Sequence, residues 1–132
     1  MIAIDTNVLV RFLTQDEPEQ AVAASNLMHD LTRAAPGFIS REVMVELVWV
    51  LERAYRFTKA EISAALEGLL AAVEIEVEAA DDVGRAVFRY RDDGFGFADL
   101  MIAAAARRAG AMILVTFDRR AARLPGVDLL PS

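Results

Sequence analysis

Met1-Ile2-Ala3-Ile4-Asp5-Thr6-Asn7-Val8-Leu9-Val10-Arg11 opens the chain with a short apolar run that stops at an aspartate. A brief apolar run of this kind fits a strand covered on both faces. Residues 1–5 are therefore read as a short buried strand, followed by a short helix from Asn7 to about Leu13. An acid at the end of a strand matters because open α/β sheets bind ligands in the crevice at the carboxyl ends of their strands. Asp5 is the first such acid, and the same arrangement recurs along the chain.

The remaining elements follow from local signals. Glu17-Pro18 opens a longer helix to about Ala34, since proline suits the first helical turn. Pro36-Gly37 breaks the chain. Phe38-Ile39-Ser40 is a brief strand, and Ser40 or a neighbour can cap a helix reaching about Tyr55. Thr58-Lys59-Ala60-Glu61 is a capping box that opens a helix to about Ala72. Glu74–Glu78 alternates charged and apolar residues, as an edge strand does. Asp81-Asp82 starts a helix to about Arg91, and Asp92-Asp93-Gly94-Phe95-Gly96 forms a loop. The helix from Phe97 ends at Gly110, a residue suited to the left-handed cap. Met112–Thr116 reads as a buried strand and Val127–Leu130 as a last short one. Strands separated by helices imply a parallel sheet with helices on both faces. The expected fold is a three-layer α/β/α domain spanning residues 1–132, with a short central parallel sheet of four to five strands.

Composition narrows the function classes. At 132 residues and 55% hydrophobic content the chain can bury a real core without staples. The absence of cysteine excludes disulfides and thiolate metal sites. One histidine, His29, supports neither a histidine-based zinc site nor a Ser-His-Asp triad. The net charge of −6 argues against nucleic-acid binding driven by bulk charge. A nuclease remains compatible with it, because metal ions at an acidic site reverse the local sign. Thirteen arginines stand against a single lysine, Lys59. Arginine makes planar bidentate phosphate contacts that lysine cannot, although genomic base composition is the more ordinary source of the bias. No apolar run approaches the roughly 20 residues of a membrane span. Met1 leads directly into a strand and not into a leader, so a cytoplasmic protein is expected.

Four acids carry the candidate chemistry: Asp5, Glu46, Asp99 and Asp118. Each has an ordinary explanation. Asp5 suits a helix N-cap, Asp99 complements the positive end of its helix, and Asp118 in Phe117-Asp118-Arg119 suits a turn. Glu46 interrupts the apolar helix Val43-Met44-Val45-Glu46-Leu47-Val48-Trp49-Val50-Leu51 and shares a face with Val43 and Val50. It is expected to be buried, which requires a partner such as Arg53 or a metal. Taken together, the acids follow the first strand, sit in the helix after the second, open a late helix and follow the penultimate strand. Mutually repelling carboxylates need a counter-charge, and Mg²⁺ is the usual one. Such a set holds one or two Mg²⁺ or Mn²⁺ ions for phosphodiester hydrolysis. Thr6, Asn7 and Thr116 are polar neighbours able to orient water or a carboxylate, or to make local turn and cap hydrogen bonds.

At these residues the chain resembles the PIN-domain ribonucleases, and most the VapC-type toxins of type II toxin–antitoxin pairs. The matching segments are Ile2 to Arg11, Glu46-Leu47-Val48-Trp49-Val50-Leu51, Phe97-Ala98-Asp99-Leu100-Met101-Ile102-Ala103-Ala104 and Thr116-Phe117-Asp118-Arg119. The resemblance implies that Asp5, Glu46 and Asp99 form a metal site, with Asp118 as a direct or outlying ligand. It implies a structured RNA substrate of the tRNA or rRNA class. It also implies a homodimer, and a cognate VapB-like antitoxin that places a basic side chain in the acidic site and carries the DNA binding of the pair. Two other readings stay open. A phosphoaspartate-type phosphatase or receiver domain wants an acid where Asn7 stands and a late lysine where none exists. A catalytically inactive PIN-like binding module would show the loss of an acid, and all four are present.

Overall fold

Side-chain caps set most of the helix starts. Asp5 accepts the Thr6 N–H at 2.7 Å, Ser40 accepts that of Val43, and Thr58 and Glu61 close a reciprocal capping box. Glu17 accepts the N–H groups of Glu19 and Gln20, with Pro18 in the first turn. A computed structural model describes all 132 residues. In chain order its elements are β1 (Ile2–Ala3), α1 (Thr6–Thr14), α2 (Pro18–Asp30), β2 (Gly37–Ile39), α3 (Arg41–Arg53), α4 (Lys59–Ala71), β3 (Ile75–Val77), α5 (Ala80–Asp93), α6 (Phe97–Arg108), β4 (Leu114–Thr116) and β5 (Val127–Leu129). A 3-10 turn at Ala121–Arg123 lies between β4 and β5. Helix α2 stops four residues short of Ala34, because the Thr32 hydroxyl accepts the Ala35 N–H and ties the chain into a turn. Helix α5 runs on to Asp93, spanned by the Arg89–Asp93 pair and closed by Gly94 at φ 76°.

All five strands are parallel, in two sheets. β1, β2 and β3 pair in that order and β4 pairs with β5. The expected single sheet is thus divided between β1 and β4. Burial inferred from apolar runs needs correction at two strands. In the run Met112–Thr116, Met112 is 90% exposed, and Ile113 and Val115 are both more than half exposed; only Leu114 packs on the core. In Met1–Asp5 only Ile4 is buried. An apolar run states that a segment favours burial, but not that another layer reaches both of its faces.

The core draws on both ends of the chain, from Ile4 to Val127. Helix α3 contributes Met44, Leu47, Val48 and Leu51, spaced to form one stripe. Helix α5 contributes Val83, Ala86, Val87 and Tyr90. Tyr90 is fully buried and pins α5 to its neighbours. Its hydroxyl donates to Glu52 at 2.7 Å, its ring meets Phe97 edge-on, and the Lys59 ammonium lies 4.3 Å from its centroid. Burial, then the bond to Glu52, pushes its phenol well above the ordinary range. No helix is long and apolar enough to cross a membrane.

Asp82, read from sequence only as part of a helix start, is the one buried acid. It accepts from Arg85 at 2.8 Å and from Arg108, with Arg41 4.0 Å away. Arg108 most strongly, and Arg85 with it, hold its carboxyl below the ordinary value against the opposing effect of burial. The cluster ties α5 to α6 and to the start of α3.

Gly37, opposite Ile2 in the β1–β2 register, has little room for a side chain. A Cβ there would stand 2.5 Å from Ile4 Cδ1 and 2.9 Å from Leu31 Cδ1. Both are terminal methyls that can move, but Ile4 is buried. Gly37→Ala should therefore lower stability by about 1 kcal/mol, the lower end of overpacking effects, which a urea titration would measure.

Candidate active site

The late acids come together first. Asp99 occupies the first turn of α6, near the positive helix end, and Asp118 follows β4. Asp99 is partly buried, and burial, then the negative charge of Asp118, raises its carboxyl above the ordinary value; Arg120 opposes the shift. Gly96 makes the arrangement possible. A Cβ at that position would lie 2.9 Å from Asp99 Oδ2 and 3.5 Å from Arg120 Nη2. The absent side chain is the space in which the carboxyl and guanidinium stand.

The other two acids are placed differently. Asp5 is exposed and caps α1. Beside it, the Thr6 hydroxyl is buried without a hydrogen-bond partner. Glu46 is exposed, not buried as expected, because it lies off the Met44, Leu47, Val48, Leu51 stripe that faces the core. It borders a cleft of about 590 Å³ between α3 and α6, with Trp49, Gly96, Ala98 and Ile102 among its neighbours. Arg53 does not pair with it and lies over the Trp49 ring instead. With no partner charge to strand, Glu46→Gln should leave stability within about 0.5 kcal/mol of the parent, as read by melts in EDTA. A clear loss would revive the structural reading.

Local hydrogen bonds account for several polar groups. Asp118 Oδ1 accepts the N–H groups of Arg120 and Ala121, so it also caps the 3-10 turn. The Thr116 hydroxyl accepts the Asp118 N–H. Asn7 is exposed beside a separate cleft lined by Arg11 and Gln20. Lys59, engaged with Tyr90, takes no part in this acidic region.

As the side chains stand, no three acids or imidazoles gather as a cage for a metal ion. The donor chemistry nevertheless suits one. Every candidate ligand is a hard oxygen, which favours Mg²⁺ or Mn²⁺ over softer metals. Asp99, over the Gly96 cradle, is repelled by the nearby Asp118, and the unpartnered Thr6 hydroxyl adds a further oxygen next to Asp5.

Comparison with known proteins matches residues 2–127 to the PIN domain family. The chain is 28% identical over 125 residues to a VapC ribonuclease of Aquifex aeolicus strain VF5, covering 94% of this chain and 92% of that protein. It is 33% identical over 119 residues to ribonuclease VapC23 of Mycobacterium tuberculosis, from strains CDC 1551 / Oshkosh and H37Rv, covering 89% of this chain and 93% of that protein. On its α/β architecture, its ordered acids and these matches, the chain belongs to the PIN-domain family, in its VapC-type branch.

Proposed function

We propose that this protein is an endoribonuclease toxin that uses Mg²⁺, or Mn²⁺ in its place, to hydrolyse a phosphodiester in structured RNA of the tRNA or rRNA class. The observation that carries the reading is Asp99 standing over the Gly96 cradle with Asp118 near enough to raise its carboxyl, a pair whose repulsion a cation would relieve. Asp5, Glu46, Asp99 and Asp118 are the residues that would hold the metal. A bound ion supplies a water of lowered pKa and neutralises charge on the phosphate. The chain's own contribution is to orient this carboxylate set. Gly96 leaves room for Asp99, the backbone N–H groups of Arg120 and Ala121 fix Asp118, and Asp5 is held against the start of α1. Arg120, beside Asp99, is placed to meet a phosphate oxygen.

The same reading includes partners. A homodimer and a cognate VapB-like antitoxin would use the α3–α6 cleft, where Trp49 and Ile102 are each more than half exposed. Helix α4 is instead covered within the chain by α5, so its apolar residues need no second molecule. An antitoxin arginine would compete for the carboxylates through charge-assisted hydrogen bonds, and specific DNA binding would rest with the antitoxin. The site of action would be the cytoplasm, where such RNAs are found. The test is incubation of the purified chain with bacterial total RNA, with and without EDTA, followed by sequencing of new 5′ ends. Discrete cleavage sites that need Mg²⁺ or Mn²⁺ are expected. RNA left intact under all metal conditions would reject the reading.

A further inference from the structure

Arginine is crowded into one part of this acidic chain: eight of its thirteen arginines fall between Arg85 and Arg123. Between α5 and α6, Arg85, Arg89 and Arg107 line a cleft of about 290 Å³ whose apolar wall includes Leu100, Ala103 and Leu124. Buried Asp82 anchors Arg85 from below, and Arg89 pairs with Asp93. The arginines therefore have different duties. Arg85, Arg89 and Arg108 are partly structural, whereas Arg107 and Arg123 form no ion pair with any carboxylate of the chain.

Arginines at the cleft and beside it reach toward the acidic site. Arg89 and Arg123 both lie over the ring of Phe95, at 4.9 and 6.0 Å from its centroid. Phe95 precedes Gly96, against which Arg120 and Asp99 stand. Asp99 and Arg107 lie at opposite ends of α6, about 12 Å apart along its axis at ~1.5 Å per residue. Arg89 and Arg123 over Phe95, and Arg120 at the neighbouring Gly96, thus lie between the cleft and Asp99. Guanidiniums match phosphate oxygens in bidentate geometry. The cleft lining carries three arginines against one carboxylate, Asp82, so its charge is net positive, and a positive apolar-walled cleft focuses the field that attracts a polyanion.

We infer that the α5–α6 cleft, through Arg107 in its lining and Arg123 beside it, next to the lining residue Leu124, holds the phosphodiester backbone of the RNA beside the scissile bond. The inference rests on the ribonuclease reading for its ligand but uses none of the proposed metal ligands. It also gives the arginine bias a local role in a protein whose total charge repels nucleic acid. Arg107 and Arg123 act as positioning residues that hold the strand while the acidic site acts on it.

The test is binding of a fluorescein-labelled 2′-O-methyl RNA oligonucleotide, which lacks the free 2′-hydroxyls of RNA, followed by anisotropy from about 50 to 200 mM KCl. Removing one phosphate contact should reduce the slope of log Kd against log salt by about 0.7 to 1. Arg107→Gln and Arg123→Gln should each weaken binding several-fold and flatten the slope by that amount, and the double variant by roughly twice as much. Arg107→Lys should keep most of the slope, since the charge remains. Arg33→Gln, in the α2–β2 connection outside the cleft, should match the parent. Neither Arg107 nor Arg123 has an ion pair to lose, so Arg107→Gln should melt as the parent does, and Arg123→Gln, which gives up only its place over the Phe95 ring, should melt close to it. Unchanged slopes, an equal loss in Arg33→Gln, no oligonucleotide binding by the parent, or preferential occupation of the cleft by a poly-glutamate peptide would each overturn the inference. The ribonuclease reading fails separately. Salt-dependent binding that disappears in the arginine variants, without cleavage by the parent, would retain this cleft and reject the enzyme. Cleavage by the parent with unaltered binding in the arginine variants would do the reverse.

Discussion

Asp99→Asn should leave the protein folded and reduce RNA cleavage by about 10²-fold or more, the scale on which a preorganised electrostatic group contributes to catalysis. Its effect on stability should run the other way. Burial and Asp118 raise the Asp99 carboxyl above its ordinary value, so the folded chain holds that proton more tightly than the unfolded chain does. Stability from this group therefore declines as pH rises through the ordinary carboxylate range and on through the raised folded value. At neutral pH without metal, the ionised Asp99 is a small liability that asparagine removes. Because the carboxyl is only partly buried, solvent screening keeps the gain below about 1 kcal/mol. Added Mg²⁺ should raise the melting temperature of the parent, since a ligand at ~100 times its Kd contributes about 2.7 kcal/mol, and should raise that of Asp99→Asn less. Cleavage assays and melts with EDTA or Mg²⁺ measure both effects. A variant that cleaves RNA at the parent rate would remove Asp99 from the site.

The largest loss of stability should come from Asp82→Asn. Breaking a fully buried ion pair costs roughly 3–5 kcal/mol, because a charge is left without its partner. Arg85 and Arg108 are more than half exposed and can recover water, whereas Arg41 is mostly buried and keeps only its bond to the Met101 carbonyl. A loss of about 2–3 kcal/mol is therefore expected, or roughly 6–10 °C in melting temperature for a chain of this length. The pH dependence follows from the lowered Asp82 carboxyl. Its stabilisation is fully present above the unfolded value near ~3.9 and is lost as pH falls through the lower folded value. The gap between parent and variant should thus be wide at pH 7 and narrow near pH 3, as read by urea titrations at both. A gap that stays constant with pH would show that the aspartate acts through packing or neutral hydrogen bonds and not through its charge.

Much of the fold was legible because its signals are local. Caps at Asp5, Ser40 and Thr58 satisfy backbone donors within a few residues, so the helices could be placed from sequence and mostly lie within a few residues of the expected bounds. The α/β order also followed, since apolar runs and helical stripes alternate. Burial was less legible. Met112–Thr116 is as apolar as a strand covered on both sides, yet most of it faces solvent. Glu46 sits among apolar residues in sequence, yet the helical stripe turns it outward.

The sequence by itself determined the element order, the capped helix starts, the family and the four candidate acids, because those depend on residue type, spacing and neighbours within one or two turns. Only the tertiary structure decided which groups meet. It divided the strands between two sheets, buried Asp82 among three arginines, and set Asp99 beside Asp118 and Arg120 over a glycine. It also brought Arg85, Arg89 and Arg107 to one cleft. Those outcomes depend on how helices and strands distant in sequence pack against one another, and burial and charge are properties of that packing.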